Sequence, residues 1–139
     1  YFGQKDLQQA IIIKRMANDL NMPVKIKVMP TIREKDGLAL SSRNVYLNEK
    51  ERKDATVLYE ALKKAKDLIK NGDTDTQSII GQMRWTINER GIIKIDYISI
   101  VDLDNLEPIK KITNNSLIAL AVWVGRTRLI DNIVIKTYA

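Results

Sequence analysis

Between Arg33 and Asn44 the chain reads R-E-K-D-G-L-A-L-S-S-R-N, ending on two hydroxyls, a guanidinium and an amide side by side. Ser41, Ser42 and Arg43 suit phosphate oxygens, because a guanidinium fork makes charge-assisted, often bidentate bonds to them. The plainer alternative is that Ser-Ser-Arg-Asn caps and solvates a loop. Asp36-Gly37 just upstream is a turn signal: Gly allows positive φ, and the Asp carboxylate can accept from nearby backbone N–H groups. Lys5 offers a second cation. It follows Gly3 at a predicted helix start, where free N–H groups and the helix dipole favour anions; an exposed helix-start lysine is the competing explanation. Gln9 lies one helical turn after Lys5, so the two side chains can point the same way.

These residues need elements to hold them. Residues 5–20 carry Ala10, Ile13, Ala17 and Leu20 on one stripe and read as a helix, which Asn21-Met22-Pro23 ends. Residues 24–28 alternate with period two and read as a strand. With a strand end at Tyr1-Phe2-Gly3, this is the closing β-α-β unit of a parallel sheet. Asn48 and Glu51 form a capping-box pattern for a helix whose stripe is Leu58, Ala61, Leu62, Ala65, Leu68 and Ile69. Asn71-Gly72 stops it. Asp73 or Thr74 caps a second helix with Ile79, Ile80, Met83 and Ile87 inward, ended by Gly91. Strands follow at 94–102, 117–124 and 129–136, the middle one apolar enough to be buried on both faces. Short links favour an antiparallel three-stranded sheet under two helices, an α+β unit. Trp85 and Trp123 read as core aromatics.

Composition narrows the function. At 139 residues, 45% hydrophobic and 29% charged, the chain fits one domain, or one domain with an arm. No window of 18 uninterrupted apolar residues marks a membrane span. Without Cys, disulfides and thiolate catalysis are excluded, in agreement with a cytoplasmic setting. Without His, the commonest general base and metal ligand is missing. The net charge of +6 raises a nucleic-acid or basic binding-module reading. Against nucleic acid, the Lys/Arg residues between Lys50 and Lys70 alternate with Glu and Asp, and no aromatics are interleaved with them. No dense carboxylate cluster forms a dedicated metal cage. The start at Tyr1 has neither an initiator Met nor a signal-peptide pattern and reads as an internal position of a longer chain.

The runs D-G-L-A-L-S-S-R-N and F-G-Q-K-D-L-Q-Q, supported by D-Y-I at residues 96–98 and T-R-L-I-D-N at residues 127–132, resemble the pantoate–β-alanine ligase (pantothenate synthetase) family. The resemblance covers essentially the whole chain but only the C-terminal half of the family's usual length, and the family's H-x-G-H signature is absent. It implies the last β-α-β piece of a Rossmann-like nucleotide-binding domain (1–32), an ATP-phosphate loop or hinge (33–46) and a C-terminal lid (47–139). The activity it implies is ATP-dependent condensation of pantoate with β-alanine through a pantoyl adenylate, by a cytoplasmic homodimer using Mg²⁺; the chain by itself should be inactive. Another adenylyl- or cytidylyltransferase of the same superfamily is the runner-up. By resemblance Lys5, Ser41, Ser42 and Arg43 meet the ATP phosphates, Gly3 and Asp6 the ribose side, and Ile32 and Leu40 the adenine site, where either could equally be plain packing. Gln9, rather than Gln8, bonds pantoate, as suits an amide facing a hydroxyl and a carboxylate. Arg128, Asp131 and Asn132 read as structural, through an Arg–Asp pair and a strand-start turn. Residues 1–28 have apolar faces but no evident sheet to receive them, so they are expected to be disordered or to pair with another copy.

Overall fold

A strand without a polar face has to be covered on both sides, and the apolar run 117–124 lies accordingly at the centre of the protein. The structure, a computed structural model, describes residues 1–136. In chain order it contains β1 (Phe2–Gly3), a 3-10 turn (Gln4–Asp6), α1 (Leu7–Asp19), β2 (Val28–Met29), a second 3-10 turn (Ser42–Tyr46), α2 (Glu49–Asp54), α3 (Val57–Lys70), α4 (Thr76–Asn88), β3 (Ile93–Asp102), β4 (Ser116–Val124) and β5 (Thr127–Ile135). The main sheet is antiparallel with order β3-β4-β5. The tight Gly125-Arg126 turn joins β4 to β5, with Gly125 at φ +58° as such a two-residue hairpin requires. The α+β expectation holds.

Each face of the sheet has its own cover. On one, Leu58, Ala61, Leu62 and Ala65 of α3 and Ile79, Met83 and Ile87 of α4 pack against Ile118, Leu120, Val122 and Val124 of β4. Every such Leu or Ile contributes about 1.5–3 kcal/mol by leaving water. On the other face, Leu7 of α1 packs against Val101, Leu117 and Ala119, with Ile11 and Val134 at the margin. The small Ala10 and Ala17 on the same side of α1 are buried too. The leading arm therefore does find a sheet within its own chain, contrary to the sequence expectation: apolar odd-numbered positions of β4 needed a cover, and α1 supplies it. The expected unit 47–139 also runs into residues 137–139, which lie outside the described part.

Local chemistry explains the remaining departures. Asn48 and Glu51 form the full capping box, at 2.8 and 3.0 Å. The helix they start is nevertheless interrupted at Ala55–Thr56, where the Thr56 hydroxyl donates back to the Lys53 carbonyl (2.8 Å), a bond that competes with the helical ladder. Asp75, not Asp73 or Thr74, caps α4, accepting from the Gln77 and Ser78 amides; Asp73 holds the connection by accepting from the Asp75 amide and the Ser78 hydroxyl. The predicted strand 24–28 shrinks to two residues, paired in parallel with β1, because no third strand or cover reaches Val24 and it stays in water. Leu20 is likewise exposed, one residue beyond the end of α1. Trp85 is 62% exposed and Trp123 38%. Trp85 lies on α4 between the inward Met83 and Ile87, hence on the opposite side of the helix, and neither tryptophan belongs to the core.

Leu120→Ala should cost about 2–5 kcal/mol of stability, as expected for a fully buried leucine. Leu20→Ala should stay within about 0.5 kcal/mol. Urea denaturation followed by circular dichroism reads both.

Candidate active site

Strand alternation sends the side chains of adjacent β5 residues to opposite faces of the sheet, and Asp131 and Asn132 use this to hold two separate pieces of backbone. Asn132 donates from Nδ2 to the carbonyls of Gln4 (2.8 Å) and Lys5 (3.0 Å). That fixes the 3-10 turn in which Lys5 sits, one turn earlier than the start of α1 proper. Asp131 accepts both guanidinium arms of Arg33, at 2.5 and 2.9 Å, with its own side chain only 1% exposed. Asp131 is thus the partner of Arg33, and the Arg128–Asp131 pairing expected from the sequence does not form: Arg128 bonds Asp96 through Nε and Nη2, both at 2.8 Å.

Arg33 opens a short hairpin, bridged to Ala39, that delivers the hydroxyl run. Its guanidinium also donates to the Gly37 carbonyl (3.1 Å) and lies 4.3 Å from the centre of the Tyr59 ring. Gly37 is required twice over: its φ is +94°, and a Cβ there would come within 2.1 Å of Tyr59. Arg52 clamps the same turn through Glu34 (2.7 Å) and Asp36 (2.8 Å). The Asp36 pKa is lowered chiefly by its hydrogen bond from Arg52, so this clamp is intact above the ordinary carboxylate pKa and is lost as the pH falls through the lowered value. Leu38 and Ala39 are buried, which anchors the hairpin so that Leu40–Arg43 emerge beside Lys5. Asn44, grouped with the donors in the sequence, instead turns inward and donates to Glu34 and the Ala39 carbonyl.

A cavity of about 560 Å³ opens between the two anchored pieces. Gly3, Lys5, Asp6, Ile32, Leu40, Ser41, Ser42 and Arg43 all line it, so the structure brings together every residue that the sequence assigned to a nucleotide. Thr31 and Arg128, which the sequence did not single out as binding residues, line it as well. An adjoining cavity of about 180 Å³ shares Lys5 and Asp6 and contains both Gln8 and Gln9, against Tyr97, Leu117, Ala119 and Ile130. Volumes of several hundred Å³ are those of small-molecule sites. Ser41 accepts the Arg43 amide at 3.2 Å, leaving its hydroxyl proton free to donate, and Arg43 donates to the Arg128 carbonyl at 3.2 Å.

Among the described residues neither Lys5 nor Arg43 has a carboxylate within ion-pair distance, unlike Arg33, Arg52, Arg90 and Arg128. Burial lowers the pKa of Lys5 below its ordinary 10.5; Asp6 and Asp131 oppose the shift and Arg43 adds to it. A cation held with so little compensation favours an incoming anion. No three or more Asp, Glu, His or Cys converge on a metal position among the described residues. Asp6 is the single carboxylate lining the larger cavity among the described residues.

Residues 1–134 match the Pantoate-beta-alanine ligase family. A pantothenate synthetase of Thermosipho africanus is 55% identical over 135 residues, which are 97% of this chain and 48% of that protein. One of Fervidobacterium nodosum is 55% identical over 136 residues, 98% of this chain and again 48% of the relative. The crystal structure of pantothenate synthetase from Thermus thermophilus superposes with a TM-score of 0.93 at 36% identity, over 99% of this chain and 49% of that one. Pantoate-beta-alanine ligase from Francisella tularensis, crystallised with Beta-gamma ATP and Beta-alanine, gives a TM-score of 0.63 at 31% identity, over 99% of this chain and 44% of that one. The chain spans about half the length of the relatives it matches. These shares fix an extent and not an end, so the C-terminal position expected from the motifs does not follow from them.

Arg33→Met should cost about 3–5 kcal/mol, because it strands a buried Asp131 carboxylate. Adding Asp131→Leu should recover most of the loss, read by urea denaturation. For Lys5 the sign runs the other way. Its charged form is disfavoured in the folded state, so the penalty applies at neutral pH and lifts as the pH rises through the lowered pKa toward 10.5. Lys5→Met should therefore raise the thermal midpoint at neutral pH and lose that advantage in alkali beyond the ordinary lysine value.

Proposed function

The chain belongs to the pantoate-beta-alanine ligase family, and we propose that it forms part of an ATP-dependent ligase that condenses pantoate with β-alanine by way of a pantoyl adenylate. The observation that carries this reading is the convergence of Lys5, Ser41, Ser42 and Arg43 on one cavity, with Gln9 in the small cavity that opens from it at Lys5. Gly3 and Asp6 sit where the ribose end of a nucleotide would be held, and Ile32 and Leu40 supply apolar contact for adenine. The small cavity pairs apolar walls with the amides of Gln8, Gln9 and Asn132 and the ammonium of Lys5, a setting suited to a short branched hydroxy acid. The same reading includes a homodimer and a cytoplasmic setting for the complete protein.

In the first step a carboxylate oxygen of pantoate attacks the α-phosphorus of ATP, and the bond to the bridging oxygen breaks to release pyrophosphate. Negative charge gathers on the phosphates as this occurs. Donors already fixed in place stabilise such charge without reorganising, which is where they lower the barrier most. Lys5 and Arg43 provide the charge, while Ser41 and Ser42 provide neutral donors; Asn132 and the Arg33 hairpin hold all four in position. Magnesium ordinarily rides on substrate phosphates and keeps several waters; no residue of this chain is assigned to it, and the ion would add charge neutralisation when it arrives with the nucleotide. In the second step the amine of β-alanine attacks the acyl carbon and AMP departs. No residue of this chain is assigned to the amine.

Pantoate-dependent exchange of labelled pyrophosphate into ATP, measured on a polypeptide of the relatives' full length carrying this chain, tests the reading. Exchange with other acids but not pantoate would favour a different adenylyl-transferring enzyme. In that polypeptide, Lys5→Ala and Arg43→Ala should each slow adenylate formation about 10²-fold, a loss on the order of 3 kcal/mol, with little change in pantoate affinity. The 139-residue chain alone should form no pantothenate, by direct product assay.

A further inference from the structure

Arg43 and Arg128 form a wall with a second space behind it. An open groove of about 1080 Å³ lies on their far side, lined also by Asn48, Trp123, Arg126 and Thr127. Three guanidiniums thus face one concavity, and two of them also face the cavity that contains Lys5. Their engagements differ. Arg128 is half-committed to Asp96, Arg43 gives one bond to a backbone carbonyl, and Arg126, exposed on the β4–β5 turn, has no ion-pair partner among the described residues. Among the described residues Glu51 is the single carboxylate lining the groove; its Oε2 accepts the Asn48 backbone amide of the capping box, and its one negative charge stands against three guanidiniums. A concave surface with free guanidinium donors and so little opposing charge attracts a compact polyanion.

We propose that this groove is the departure subsite for pyrophosphate, with Arg126 as its outer ligand. The inference rests on the adenylating reading above. When the carboxylate-to-phosphorus bond forms and the α,β-bridging bond breaks, both electrons of the broken bond leave on the bridging oxygen. Of the two products of that step, the departing group carries nearly all the negative charge that ATP brought, on a much smaller body. It must move off the Lys5 side before an amine can approach, and the continuous path Lys5, Arg43, Arg128, Arg126 lets it do so without entering water unpaired. Arg126 contributes only after the bond has broken, so it governs release and the reverse reaction rather than nucleotide capture.

Trp123 lines the groove and is one of two tryptophans in the chain. Trp85→Phe, at an exposed position on α4, leaves it as the sole indole reporter. Titrating that 139-residue variant with inorganic pyrophosphate should give a saturable change in Trp123 fluorescence. Arg126→Ala should weaken the response about tenfold, the factor that corresponds to about 1.4 kcal/mol, while Lys5→Ala leaves it within about twofold. Orthophosphate, with fewer charges, should bind more weakly than pyrophosphate. A response abolished by Lys5→Ala but indifferent to Arg126→Ala would put pyrophosphate in the nucleotide cavity and overturn the proposal, as would no response at Trp123 at all. The ligase reading fails separately, through absent pantoate-dependent exchange, and that result would not alter binding of pyrophosphate to the groove.

Discussion

The bidentate bond between Arg33 and Asp131 is the constraint from which the rest of the site follows. Taking a carboxylate and a guanidinium out of water is costly, and mutual attraction offsets that cost only where the other hydrogen-bonding positions are also filled. Here they are. Asp131 takes a further bond from the Asn132 amide, and Arg33 gives one to the Gly37 carbonyl while its plane lies over Tyr59. The pair thereby ties a hairpin that would otherwise be a solvated loop to the buried strand β5, and the Ser41–Arg43 run inherits a fixed position. A lysine at 33 could not substitute, because a point charge lacks the planar fork that sets the hairpin's orientation.

The sheet adds the second half of this arrangement. Because β4 is apolar on both faces, both faces had to be covered, one by α3 and α4 and the other by α1. Packing α1 against β4 brings the Gly3–Asp6 turn to the edge of β5, where Asn132 captures it. Asp131 serves the hairpin side and Asn132 the helix side, one residue apart. The cavity is therefore bounded by two backbone pieces that need not touch each other, each fixed to the same rigid strand.

What the sequence disclosed and what it concealed divide by distance along the chain. The Asn48–Glu51 capping box, the stop at Gly72 and the stripe on α3 are local patterns, and each is found where the residues indicated. The eight residues that line one cavity could be grouped from the sequence because two short motifs contain nearly all of them, with Ile32 just outside. Arg33 and Asp131 were not read as a pair, since 98 residues separate them and Arg128 offered a nearer partner for the same carboxylate. Within the T-R-L-I-D-N run, Asp131 and Asn132 bond the hairpin and the first turn rather than each other's neighbours, and Arg128 lines the cavity as well as bonding Asp96. Residues 24–28 show that alternation is necessary for a strand and not sufficient: without a neighbour to accept its hydrogen bonds, most of the segment stays irregular. Trp85 was misplaced because residue type was allowed to outweigh its angular position on α4.

The bonds from Asn132 to Gln4 and Lys5 join residues 128 and 127 positions apart, and this long closure has a bearing on biosynthesis. Lys5 leaves the ribosome well before Asn132, and its turn lacks this anchor until β5 has been made. At about 5–20 residues per second, that interval is roughly 6 to 25 s, and for most of it the partners of α1 on β3 and β4 have not yet been made. Helical structure and the α3–α4 layer can form from near neighbours in that time, whereas the cavity that contains Lys5 belongs to the slow, high-contact-order class of contacts. A nascent chain halted before β4 would thus retain much of its secondary structure while lacking the cavity, and the exposed α1 would be the surface on which a chaperone finds it.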